Sequence, residues 1–247
     1  MVRFTAKLAG IPIGISALFE QTRAAYRDYL TTDAPLFTLE TTEQALTQEY
    51  ARIARRRALN PQKAIPHPAL LEEQWLYHQI GDRLPAYDAL LVHGSAVAVD
   101  GVAYLFTAPS QTGKSTHTRL WRQVFGDRAV MVNDDKPLLA FGENAVLVCG
   151  SPWRGKHRLG GNITVPLGGI CLLTRSSVNT ISPLSAKAAF PALLQQCCHP
   201  DNPQRMKHTL SLLEQLTQRA ALYRLGCNMR PEAAEVAYRG MNGDRNL

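Results

Sequence analysis

Apolar and polar residues alternate over residues 2–16 with a break at Gly10-Ile-Pro12, which predicts two strands joined by a turn. Residues 18–30 have helical composition, and Leu36-Phe-Thr-Leu-Glu40 reads as a further strand. Thr41 and Thr42 then offer capping hydroxyls for a helix from Glu43 to Arg57. After the polar stretch Asn60 to Pro68, a helix places Leu71, Trp75, Leu76 and Ile80 on one side. The middle third changes period. Leu90 to Val99 is β-rich, Asp100-Gly101 is a hairpin turn, and Val102-Ala-Tyr-Leu-Phe-Thr107 returns as a strand. A glycine- and lysine-bearing loop leads into a helix with Leu120, Trp121, Val124 and Phe125 on its buried side, followed by short strands at 129–132, 137–141, 145–149 and 169–173. The last third reads as largely helical, over 185–197 and 203–220, with Met206, Leu210 and Leu213 on one face of the second helix. A late strand at 221–225 precedes a final helix opened by Pro231.

These elements divide into an N-terminal α+β module, residues 1–85, and a larger α/β core with a helical C-terminal part, residues 86–247. The balance of 45% hydrophobic and 19% charged residues is that of a globular chain. No apolar run is long enough to cross a bilayer and the first residues lack a signal-peptide pattern, so the expected location is cytoplasmic, without a membrane partner. Five cysteines without a C-x-x-C pair read as reduced, buried thiols. The net charge of +7 is compatible with a nucleotide or an acidic peptide. Its densest run, Arg52, Arg55, Arg56 and Arg57, reads as a solvated helix face, and no nucleic-acid module with interleaved aromatics is present.

Ala108-Pro-Ser-Gln-Thr-Gly113-Lys114-Ser115-Thr116 has Walker A spacing, with alanine where the first glycine normally stands. A loop that wraps a triphosphate turns its backbone N–H groups inward, and Gly113 permits the close approach. Ser110, Gln111, Thr112, Gly113, Lys114, Ser115 and Thr116 are therefore the candidate nucleotide contacts. Lys114 brings charge to the β- and γ-phosphates, and Ser115 offers a hydroxyl to Mg²⁺. Some twenty residues later, Val130-Met-Val-Asn133 runs into Asp134-Asp135-Lys136-Pro137, an apolar strand ending in two carboxylates. One can serve the metal and the other can accept a proton from an attacking hydroxyl. The same Asn-Asp-Asp-Lys-Pro string is also good turn chemistry.

His93-Gly-Ser-Ala-Val-Ala-Val-Asp-Gly101, the loop Ser110-x-x-Gly-Lys-Ser115 and Asp134-Asp135 together resemble the core of HPr kinase/phosphorylases. Those enzymes share a fold group with ATP-dependent phosphoenolpyruvate carboxykinases. Ser151-Pro-Trp-Arg-Gly-Lys156 and Leu225-Gly-Cys-Asn-Met229 resemble segments of small bacterial HPr-kinase-like proteins, some associated with phosphorylating ribosomally made peptides. The resemblance covers roughly residues 88–175 and implies a P-loop kinase-like core with a mixed sheet. It implies a histidine near the transferred phosphate at His93, a proton-handling carboxylate at Asp134 and a metal-associated one at Asp135, roles that could be exchanged. Arg154 and Lys156 match no family residue of known role: a cation on that Gly-containing loop could neutralise the transferred group, and a surface turn with an exposed lysine is the alternative. The sequence departs from the family at Ala108 and Gln111, where those enzymes carry glycine, in its N-terminal third, and in lacking their protein-engaging segment after the aspartates. HPr itself is not implied as the substrate.

The function expected is ATP- and Mg-dependent phosphoryl transfer to a hydroxyl on a peptide, protein or small molecule, and a homo-oligomer is compatible with it. A non-catalytic nucleotide-binding regulator or scaffold of the same fold is the alternative. A carboxykinase-like reaction lacks identifiable acid-binding residues.

Overall fold

The computed structural model describes residues 1–58 and 67–243. Most of the polar stretch over 60–68, and the side chains of Arg56 and Arg57, lie outside the described residues. Strands β1 (Val2–Leu8) and β2 (Ile11–Ala17) form an antiparallel hairpin. Its turn is Ala9–Gly10, both with positive φ, so Ile11 and Pro12 belong to β2 and not to the break. Helix α1 (Glu20–Ala25) and a 3₁₀ turn (Arg27–Tyr29) follow, and β3 (Phe37–Glu40) pairs parallel with β2. Helix α2 (Glu43–Ala58) begins where the Thr42 hydroxyl accepts from the Ala45 amide. Helix α3 (Pro68–Arg83) buries Leu71, Leu76 and Ile80, with Trp75 partly covered.

The same helix buries Glu72 completely. Its carboxylate accepts from the Leu18 amide at 2.6 Å, the Phe19 amide at 3.2 Å and the Thr22 hydroxyl. A buried anion is tolerable when it is hydrogen-bonded in this way, and here it caps the entry to α1.

The larger sheet has nine strands: β4 (Ala89–Leu91), β5 (Ser95–Val99), β6 (Val102–Thr107), β7 (Ala129–Asn133), β8 (Leu138–Phe141), β9 (Val146–Cys149), β10 (Thr164–Arg175), β11 (Thr180–Pro183) and β12 (Leu222–Cys227). The order is β4-β8-β9-β10-β6-β5-β7, with β12 on β10 and β11 on β12. It is mixed: β6 and β12 run parallel to β10, while the other pairs are antiparallel. Helices α4 (Lys114–Phe125) and α7 (Glu232–Asn242) join the apolar cluster on one face, and α5 (Ala186–Leu194) and α6 (Pro203–Arg219) join that on the other. Strand alternation divides the residues: Val97, Val99, Tyr104 and Phe106 enter the first cluster, and Ala96, Ala98, Ala103 and Leu105 the second. Burial on both faces explains why β5 and β6 read as nearly continuous apolar runs.

Two readings need correction. On α6 the buried stripe is Thr209, Leu212, Leu213 and Leu216, and Leu210 is 37% exposed. Leu210 lies about 60° round the helix from Leu213, just past the edge of the buried stripe. The C-terminal third also contributes β11, a short strand whose Thr180-Ile-Ser-Pro183 has too little apolar alternation to be read. A third apolar cluster joins the small sheet and α3 to Ala89, Leu91, Leu138 and Cys149 of the large sheet. Among the described residues, no helix is long and apolar enough to cross a membrane.

Candidate functional site

Strand β6 ends at Thr107, and the chain turns through 108–113 into α4. Gln111 and Gly113 take φ of 66° and 120°. At Gly113 the requirement is conformational, because an added Cβ would meet no neighbour within 4 Å in this structure. No side chain caps α4, so the helix leaves its first amides and the positive end of its dipole to the loop. Ser110, Gln111 and Ser115 are exposed, while Thr112 and Thr116 are half-buried. Lys114 is only 7% exposed and folds back so that Nζ donates to the Ala108 carbonyl at 3.0 Å. Burial pushes its ammonium pKa down, with Lys136 adding to that effect and Asp135 opposing it. Arg175, at the end of β10, donates to the Gln111 and Thr112 carbonyls at 2.5 and 3.4 Å and braces the loop from the neighbouring strand.

The two carboxylates follow β7. Asn133 is fully buried, and its side-chain oxygen accepts from the Asp135 and Lys136 amides at 2.8 and 2.6 Å. Its amide group donates to Ser151. The turn chemistry of Asn-Asp-Asp-Lys-Pro and its use as a site are therefore one arrangement: the Asn133 side chain shapes the turn that holds the acids. Asp134 is 3% exposed; Oδ1 accepts from the Gly155 amide at 2.5 Å, and Oδ2 is buried without a partner. Asp135 is more open and lies between His93 and Lys136, with Oδ1 3.4 Å from His93 Nε2 and Oδ2 3.1 Å from Lys136 Nζ. Burial opposes its ionisation, but His93 and Lys136 outweigh burial and hold the carboxyl below its ordinary range.

Loop and carboxylates meet directly. The Ser115 hydroxyl reaches the Asp134 main-chain carbonyl at 3.4 Å. His93 is fixed by its neighbours: its carbonyl accepts from Thr107, its amide donates to the Gln196 carbonyl, and Nδ1 lies 3.0 Å from the Gln196 side-chain amide. The structure thus brings together Lys114, Ser115, Asp134, Asp135 and His93. Their donor set of hydroxyl and carboxylate oxygens suits Mg²⁺, which takes one or two carboxylates and completes its shell with water and phosphate oxygens. Among the described residues, no group of three or more His, Cys, Asp or Glu could hold a metal ion. His117, in α4, is not one of the site groups, because it is buried in the core against Phe106 and Trp121.

The segment 151–158 straps the site to the N-terminal module. Gly155 supplies the amide to Asp134, and a side chain there would put a Cβ 3.0 Å from Asp134 Oδ2. Trp153 packs edge-on against Tyr26 and Tyr77. Arg154 is committed to Asp28 at 2.9 Å, and Lys156 is exposed with no hydrogen-bond or ion-pair partner among the described residues. Burial raises the phenols of both Tyr26 and Tyr29, with Trp153 and Arg154 respectively pulling the other way. A cavity of about 1460 Å³ opens between the strap, α1 and α3, with Asp135 and Lys136 in its wall. Asn133, Lys136, Arg175 and Gln196 were not singled out in the sequence. Asn133 and Lys136 carried a local signal, the first as the head of a turn-forming string and the second as a cation beside the acids.

No family model matches the chain, and no curated protein matches it. Among solved structures, the HPr(Ser) kinase/phosphatase from Coxiella burnetii is similar over 52% of this chain and 97% of its own, at 13% identity and a TM-score of 0.30.

Proposed function

We propose that this chain is an ATP- and Mg-dependent phosphotransferase acting on a hydroxyl acceptor, with an HPr-kinase-like P-loop core. The observation that carries the reading is the contact between the two halves of the site: the residue after Lys114 touches the main chain of Asp134. Two recognisable elements about twenty residues apart in sequence converge on one spot, a convergence that two unrelated surface turns would not require.

In this reading the amides of residues 110–116 and the Lys114 ammonium hold the phosphates. Ser115 and Asp135 would hold Mg²⁺, which when bound supplies positive charge against the phosphate oxygens. Asp134 has the free oxygen: Oδ2 is buried and unpartnered, so it can take the acceptor's proton as the acceptor oxygen bonds to phosphorus and the bond to ADP breaks. His93 and Lys136 together hold Asp135 in place. Catalysis of this kind is mostly positioning and charge neutralisation.

Lys114→Ala should remove the thermal stabilisation given by Mg-ATP. Asp134→Asn should keep that stabilisation and lower transfer by about 10²–10⁴-fold. Wild-type turnover in both variants defeats the assignment. A second reading, a regulator that binds nucleotide without transfer, is favoured by one observation: Lys114 and Arg175 spend their donors on the loop's own carbonyls. It predicts stabilisation by Mg-ATP with no ADP formed, even with acceptors supplied.

A further inference from the structure

The cavity beside Asp135 is larger than the ~300–1,000 Å³ usual for small-molecule sites. Its walls are unevenly charged. Among the described residues, six Lys or Arg side chains line it against three Asp or Glu. Four of those cations have ion-pair partners: Arg27 and Arg154 share Asp28, Arg52 has Glu49, and Lys136 has Asp135. Lys156 and Arg158 remain, exposed and without hydrogen-bond or ion-pair partners among the described residues.

Arg158 has a second distinguishing feature. Its φ of 51° puts a large side chain in the left-handed region, where its amide closes a turn onto the Gly155 carbonyl at 2.9 Å. Such a conformation costs about 1 kcal/mol or more for a residue other than glycine and tends to persist where a site requires it. The acid that Arg158 influences is Glu73, whose carboxyl burial pushes up despite it.

We propose that this cavity is the acceptor site, and that Lys156 and Arg158 bind a carboxylate flanking the acceptor hydroxyl in a peptide segment. The preferred acceptor is then a serine or threonine with acidic neighbours. The hydroxyl rests on the phosphotransfer reading above, whereas the carboxylate and the size of the ligand rest on the cavity alone. Asp135 in the wall connects the two, since an acceptor in the cavity lies alongside that carboxylate. In this assignment the phosphates belong to the 110–116 loop, and Lys156 serves the acceptor.

The test is binding, measured by fluorescence anisotropy with labelled serine peptides of one length in acidic, neutral and basic versions. The full chain is used, with and without a non-hydrolysable Mg-ATP analogue. The acidic peptide should bind about tenfold tighter than the neutral one, with the gap narrowing as salt rises. Arg158→Gly relieves the backbone as it removes the charge, and with Lys156→Gln it should erase the gap. Equal binding of all three peptides, an unchanged gap in the double variant, or binding of a small hydroxy acid but no peptide overturns the proposal. When the acidic peptide is incubated in parallel with Mg-ATP, an acidic preference without any phosphate transferred supports this site and defeats the kinase reading. Transfer without an acidic preference does the reverse.

Discussion

His117 sits one turn into the helix that follows the 108–113 loop, yet it is built to stay neutral. Its Nε2 accepts from the Trp121 indole at 3.0 Å, Nδ1 is buried without a partner, and burial pushes its pKa down to about 3. The sign follows from linkage. An unfolded histidine takes a proton near 6.5, while the folded ring refuses it until about 3, so the native state loses stability as pH falls through that interval. The slope should be about 1.4 kcal/mol per pH unit at its steepest. Urea unfolding at pH 7 and pH 5 should reveal it, and His117→Gln should flatten it; an unchanged slope would place its origin elsewhere. Asp135 also makes the fold less stable in acid, because its carboxyl is held below its ordinary value, and that loss sets in as pH falls into the ordinary carboxylate range, below the interval in which His117 begins to act. At this scale the sequence was informative where the chemistry is local. Gly113, Lys114, Ser115 and the paired aspartates announce themselves within nine or two residues. Glu72, Gln196 and Arg175 do not, because their partners lie up to 54, 103 and 64 residues away.

Among the elements, the strand–loop–helix unit was legible because a nearly continuous apolar run ending at Thr107 gives way to a 3.6-residue apolar period after Lys114. The strap over 151–158 was recognised only by resemblance, since its anchors are long-range: Arg154 and Asp28 are 126 residues apart. Structurally the strap has two ends. One supports the Asp134 carboxylate through Gly155, and the other is tied to the 3₁₀ turn over Arg27–Tyr29. Asp28→Asn should therefore reach the acid without touching the 108–113 loop. Because the pair is partly exposed, the expected fall in kcat is modest, roughly two- to fivefold, with Mg-ATP affinity unchanged. Reversing both charges, Asp28→Arg with Arg154→Asp, should recover part of the loss. An effect confined to nucleotide affinity would contradict this role for the strap.

At the scale of the whole molecule, three apolar clusters share the chain, and the third is not confined to one side of residue 85. Leu91, Leu138 and Cys149 of the large sheet lie in one cluster with Leu8, Ile13 and Ile80. A fragment covering 86–247 would uncover that surface and leave Trp153 without Tyr26 and Tyr77. It should unfold at a lower temperature than the full chain or aggregate on expression, as calorimetry and size-exclusion chromatography would reveal. A cooperative, monomeric fragment with the full chain's transition would instead mark the module as an independent unit.

The support under Asp134 comes from the main chain. No codon change can delete an amide hydrogen, short of proline, so the bond at Gly155 is insensitive to most inherited variation. What heredity can alter is where that amide stands. Residues around it are free to drift in chemical character so long as the strap keeps its path, and a bulkier residue at 155 would be felt at once as a carboxylate pushed out of line.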